Sequence, residues 1–134
     1  MLDDVPRALP GLTRAHKLSK RAARVGFDWT DPRDVRAKVD EELAELDQAL
    51  AEAGGRASAH AVEEMGDVLF AIVNWARHVS IDPEMALRGT NAKFERRFGF
   101  MEGLARGRGL ELAALSLDEW EGLWQEAKAA ERGG

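Results

Sequence analysis

Residues 62–78 read VEEMGDVLFAIVNWARH, an acidic opening followed by an apolar run. As a helix, with about 100° between successive residues, Glu64 and Asp67 share one side about one turn apart. Their stripe continues through Val68, Ala71 and Trp75. From Val68 to Ala76 the helix is apolar nearly all round, so another helix or subunit must cover it. The reading that follows is a helical bundle, in which acids sit at the end of a helix that is otherwise buried.

The neighbouring segments agree. KVDEELAEL, residues 38–46, lies on a helix that Asp31 and Pro32 start, with an apolar stripe of Val35, Val39, Leu43, Leu46 and Leu50 running to Gly54 and Gly55. Ser58 is placed to cap the third helix, which ends near His78 or Val79. Asp82 and Pro83 start a fourth that runs to about Ala105, before Gly107 and Gly109 break it. Ser116 and Glu119 form a capping box ahead of Leu117, Trp120, Leu123 and Trp124. Upstream, Thr13 is expected to cap a first helix carrying Ala15, Leu18, Ala22 and Val25, with Gly26 as its stop. No segment alternates polar and apolar residues long enough to require a strand. The expectation is an all-α bundle of about five helices, one domain over residues 1–134, completed by dimerisation because the apolar stripes are wide for a core this small.

Length and composition fit that expectation. A chain of 134 residues buries roughly two thirds of its unfolded surface, and 45% hydrophobic with 32% charged residues is a globular composition. The net charge of −5 gives no overall field for nucleic acid or anionic lipid, so a polyanionic ligand needs a local basic pocket or a bound cation. The absence of cysteine excludes disulfides, thiolate metal sites and cysteine nucleophiles. With no leader-like segment and no apolar run near membrane length, the expected location is the cytoplasm, with no membrane partner.

Glu42 and Glu45 lie three apart at the margin of the second helix's stripe, as Glu64 and Asp67 do on the third. In an antiparallel hairpin the two pairs face each other. Four facing carboxylates in a partly covered site repel and lose hydration, so something must neutralise them. Hard oxygen donors without thiols or spaced histidines suit Mg²⁺, with Mn²⁺ as the alternative, rather than zinc. Such a cation also draws in a phosphate-bearing substrate. Glutamate is a strong helix former, however, and on spacing alone an ordinary solvated face remains the competing reading.

The ordered set of segments RAHKLSKRAARVGFDW, KVDEELAEL, EEMGDVLFAIVNWARH, IDPEMALRGTNAKFERRF and WEGLWQEAK resembles the MazG family of nucleoside triphosphate pyrophosphohydrolases, from about Leu12 to Ala127. The resemblance implies a dimeric all-α enzyme that hydrolyses nucleoside triphosphates to monophosphate and pyrophosphate with Mg²⁺. It assigns Glu42, Glu45, Glu64 and Asp67 as metal-binding and catalytic acids. Lys93 and Arg97 fall on the family's phosphate-contacting positions, Trp124 on its base-stacking position and Lys38 in a segment near the nucleotide, while Lys17 is a weaker match. The family's long form has tandem domains; one is present here, most similar to the catalytically competent second.

Read without the resemblance, Lys93 and Arg97 are four apart on one helical face, with Asn91 a turn earlier and Arg96 adjacent. They could grip a polyphosphate through charge-assisted bonds or form a solvated basic face. Trp124 follows Trp120 by one turn and fits either a base platform or the core. Trp29 and Phe27 fall in a loop, open to either a pocket-lining or a packing role. His16, His60 and His78 are too far apart in sequence to form a ligand array, and no phosphate-binding GxxxxGK[ST] loop is present. The expected reaction is water attack on the α-phosphorus. The alternatives are a pyrophosphatase narrowed to dUTP, dCTP or a modified nucleotide, and a non-catalytic nucleotide-binding or regulatory helical protein.

Overall fold

The computed structural model describes residues 1–133 and is all-α, with five α-helices and one 3₁₀ turn. In chain order these are α1 (Gly11–Ala23), α2 (Pro32–Glu52), α3 (Ala59–His78), α4 (Pro83–Gly107), the 3₁₀ turn Leu112–Ala114 and α5 (Leu117–Gly133). None of the helices among the described residues is long and apolar enough to cross a membrane. The chain forms two compact units, residues 1–86 and the part from Leu87 onward.

Local chemistry sets most boundaries. Asp31 accepts the Arg33 amide at 2.9 Å and Pro32 takes the first helical position of α2, where its missing N–H costs nothing. Ser58 accepts the Ala61 amide at 3.0 Å, and Asp82 the Met85 amide at 3.1 Å. The capping box of α5 is reciprocal: the Glu119 amide donates to Ser116 Oγ at 3.1 Å and the Ser116 amide to Glu119 Oε1 at 3.0 Å. Thr13 does not cap α1. The helix enters from Pro10, whose carbonyl accepts the Arg14 amide at 2.8 Å, because proline's fixed φ already points the chain into a helix and no side-chain acceptor is used.

The exits of α2 and α3 share one device. After α2, the Gly55 amide donates to the Leu50 carbonyl at 2.7 Å and the Gly54 amide to Ala51, with Gly54 at φ +68°, the Schellman arrangement. After α3 the same pair of bonds runs from Ile81 to Ala76 and from Ser80 to Arg77. There a serine, Ser80, holds the left-handed position at φ +60°.

In the first unit α3 packs against both α1 and α2. α2 and α3 run antiparallel: Glu52 at the end of α2 meets His60 at the start of α3, and Val35 and Lys38 early in α2 share a cleft with Phe70 and Asn74 late in α3. The buried line of α2 is Val35, Val39, Glu42, Leu46 and Ala49. It is rotated from the expected stripe, so Leu43 is exposed and Glu42 stands inside the buried line rather than at its margin. On α3, Ala61, Val68, Ala71, Val73 and Asn74 are buried, while Leu69, Phe70, Ile72 and Trp75 are exposed. α1 buries Ser19, whose hydroxyl donates to the His16 carbonyl at 3.0 Å; Val25, expected on its apolar face, is exposed beyond the helix end.

The second unit is built on Met101, Ala105, Leu123 and Ala127, with Phe98, Leu104, Leu112, Leu115, Trp120 and Trp124 packed around them. Phe98 stacks on Trp120 with ring centroids 5.7 Å apart.

Candidate active site

The antiparallel pairing of α2 and α3 brings Glu42, Glu64 and Asp67 together, each offering a carboxylate oxygen within 4.8 Å of the others. Their exposures differ. Glu42 is 7% exposed, Glu64 is half-buried and Asp67 is open to solvent. Glu42 Oε2 and Glu64 Oε2 are buried and have no hydrogen-bond partner in the protein. Leaving a buried carboxylate oxygen without a partner is costly, and these two oxygens are free to take a cation. Three all-oxygen donors at this spread suit a hard divalent ion, for which opposite ligands stand about 4 to 5 Å apart.

Glu45 lies outside this close group. It is exposed, and the negative charge of Glu42 beside it, with smaller effects from burial, a hydrogen bond to Glu42, and Glu64, pushes its carboxyl above the ordinary range. Lys38, one turn before Glu42, donates to Glu42 Oε1 at 3.1 Å and to Glu41 Oε1 at 3.2 Å. Those bonds hold its ammonium above the usual lysine range. His60, which spacing alone did not single out, reaches Glu64 Oε1 through Nε2 at 3.2 Å and Glu52 Oε2 through Nδ1 at 3.6 Å. The sequence signal was there in the four-residue step from His60 to Glu64 on one helix.

Lys38, Glu42 and Asp67 open into a cleft of about 220 Å³ walled by Trp29, Val35, Phe70, Ala71 and Asn74. Trp29 comes from the α1–α2 connection, which is tied to the end of α3. Asp28 Oδ1 accepts from Arg77 Nη2 at 2.7 Å, from His78 Nε2 at 2.8 Å and from the Trp29 amide at 2.9 Å. Burial alone would raise the Asp28 carboxyl, but the bonds from Arg77, His78 and the Trp29 amide, with the charge of Arg77, outweigh it and hold the group at about 2. Lys17 is placed elsewhere, in a separate cleft of about 280 Å³ with Thr13, His16, Lys20, Arg21, Arg24 and Asp82.

The remaining candidates belong to the second unit. Arg97 Nε donates to Glu131 Oε2 at 2.9 Å, and its guanidinium lies 5.2 Å from the centre of the Trp124 ring. Trp124 is partly buried and meets Phe94 at 5.9 Å. Lys93 is half-buried on α4, and Asn91 is exposed.

Residues 31–99 match the MazG nucleotide pyrophosphohydrolase domain. The chain belongs to the MazG family. Along nearly its whole length this MazG chain is 47% identical to the nucleoside triphosphate pyrophosphohydrolase of Escherichia coli (strain K12) over 132 residues, 97% of this chain and 49% of that protein. It is 38% identical over 130 residues to the nucleoside triphosphate pyrophosphohydrolase/pyrophosphatase MazG of Thermotoga maritima, again 97% of this chain and 49% of the relative. It is also 49% identical over 132 residues to the uncharacterized protein YabN of Bacillus subtilis (strain 168), 98% of this chain and 27% of that protein. The chain thus spans about half the length, or less, of the curated relatives it matches. The matched MazG segment contains α2, α3 and most of α4, and so contains all four expected acids, Lys38, Asn91, Lys93 and Arg97. Trp29 and Trp124 lie outside it.

Proposed function

We propose that this MazG chain hydrolyses nucleoside triphosphates to nucleoside monophosphate and pyrophosphate, with water attacking the α-phosphorus. The observation that carries the reading is the pair of buried, unpartnered oxygens, Glu42 Oε2 and Glu64 Oε2, converging with Asp67 beside an open cleft. Glu42, Glu64 and Asp67 are the residues that would hold Mg²⁺ or Mn²⁺. Bound there, the ion would neutralise triphosphate charge and make water more acidic.

The chain's own groups supply the rest. Lys38, paired with Glu42 at the edge of the acids, would offer its ammonium to a phosphate oxygen. Glu45, exposed and outside the close group, accepts the proton of the attacking water. Lys93, Arg97 and Asn91 are assigned to the polyphosphate and Trp124 to the base, supported by their match to the family's positions and by the Arg97 guanidinium lying over the Trp124 ring. The exposed Leu69, Ile72 and Trp75 of α3 support a homodimer in which a second copy covers them.

The test is product identity by ³¹P NMR with Mg²⁺ and a panel of ribo- and deoxynucleoside triphosphates that includes dUTP and dCTP. Monophosphate plus pyrophosphate is the expected result. Orthophosphate plus diphosphate would overturn the site of attack. Binding without turnover under either metal would make the chain a nucleotide-binding protein instead.

A further inference from the structure

The cleft has a second feature that metal chemistry does not account for. Asn74, 5% exposed, lines it from α3, and its Oδ1 accepts from Arg77 at 2.8 Å through Nη2 and 3.3 Å through Nε. The same Nη2 continues to Asp28 Oδ1, which also takes the backbone amide of Trp29. Trp29 then returns to the wall of the same cleft. A chain of hydrogen bonds thus leaves the cleft at Asn74 and re-enters it at Trp29, bridging residues 49 and 50 apart in sequence.

Arg77 and His78 at the last turn of α3 would by themselves be ordinary cations at a helix C-terminus. Their aim makes the difference. Both donate to the one Oδ1 that also holds the Trp29 amide, and Arg77 Nη2 and His78 Nε2 sit 3.1 Å apart because both face that oxygen. Residues 24–31 form no helix, and between the turn that closes α1 and the Asp31 cap of α2 this clamp ties the segment to α3. Trp29 is 41% exposed, too open for core packing alone to hold it.

We infer that Asp28, Arg77 and His78 are positioning residues that act through Trp29: the clamp holds the indole as a fixed wall of the substrate cleft, and its loss weakens nucleotide binding more than turnover. The inference rests on the proposed nucleotide site. Three enzymes test it, Asp28→Ala, Trp29→Ala and the double variant, each measured for KM and kcat. Asp28→Ala is expected to raise KM about tenfold with kcat nearly unchanged, the pattern of lost uniform binding. In the Trp29→Ala background the same change should add nothing, whereas additive losses would show that Asp28 does not act through Trp29.

A readout without substrate separates this from failure of the nucleotide reading. Acrylamide quenching of the apoprotein, with Trp29→Phe as the subtraction control, should show Trp29 more accessible in Asp28→Ala. Unchanged quenching overturns the clamp whether or not the protein turns over nucleotides. Increased quenching in a protein inactive on every nucleotide keeps the clamp and discards only the reaction. Should Asp28→Ala not fold, His78 serves: His78→Gln retains a donor and should behave as wild type, His78→Ala should loosen Trp29, and equal behaviour of the two would refute the assignment.

Discussion

Among the three converging acids, Asp67 is the one that can be altered with least harm to the core, since it is solvent-exposed where Glu42 is buried and Glu64 half-buried. Asp67→Asn keeps the volume and removes the charge; kcat/KM should fall by about a hundredfold or more while the helical circular dichroism is unchanged. An active, folded Asn variant would remove Asp67 from the machinery. Asp28 gives a different signature, in stability. Its folded carboxyl, at about 2, lies below the ordinary value of 3.8, so it stabilises the fold fully above about pH 4 and the contribution disappears as pH falls through 2. That difference corresponds to about 2 kcal/mol. Urea unfolding at pH 6 and pH 3 should therefore show a smaller loss on acidification for Asp28→Asn than for wild type. These two residues also mark how far sequence reading reaches. The i, i+3 spacing of Glu64 and Asp67 is a local fact of helix geometry, and an antiparallel partner for it could be expected from KVDEELAEL. The tie from Asp28 to Arg77 and His78 spans about fifty positions, and no local pattern announces it.

Elements were legible where one side chain decides the boundary. Asp31, Ser58, Asp82 and Ser116 each accept an amide two or three residues on, and such bonds are set by sequence neighbours. Two features were not. Proline entering α1 displaced the expected Thr13 cap, and the rotation of α2 that buries Glu42 in place of Leu43 depends on what α3 presents to it. The exit of α3 is the element with stability to gain. Glycine occupies the left-handed position after α1, α2 and α4, whereas Ser80 holds it after α3. Ser80→Gly should raise stability by about 0.5–1 kcal/mol, visible as a higher denaturation midpoint with an unchanged m value. Ser116→Ala should lower it by about 1 kcal/mol through loss of the box.

At the scale of the whole molecule, charge and apolar surface are both unevenly spread. α1 carries Arg14, Lys17, Lys20 and Arg21 with no acid in it, in a chain whose net charge is −5. The all-α class and the helix order were readable because each stripe belongs to its own helix. Whether a second chain meets the exposed apolar side chains of α3 was not, because one sequence does not name the surface that would meet them. Those side chains have a thermodynamic consequence. If a second chain buries Leu69, Ile72 and Trp75, native protein is a product of association, and mass action enters every measurement of its stability. The melting temperature should then climb steadily as protein is concentrated over several decades and fall on dilution, while Leu69→Glu should lower it and remove the dependence. A melting temperature indifferent to dilution in wild type would mean that no partner dissociates on unfolding.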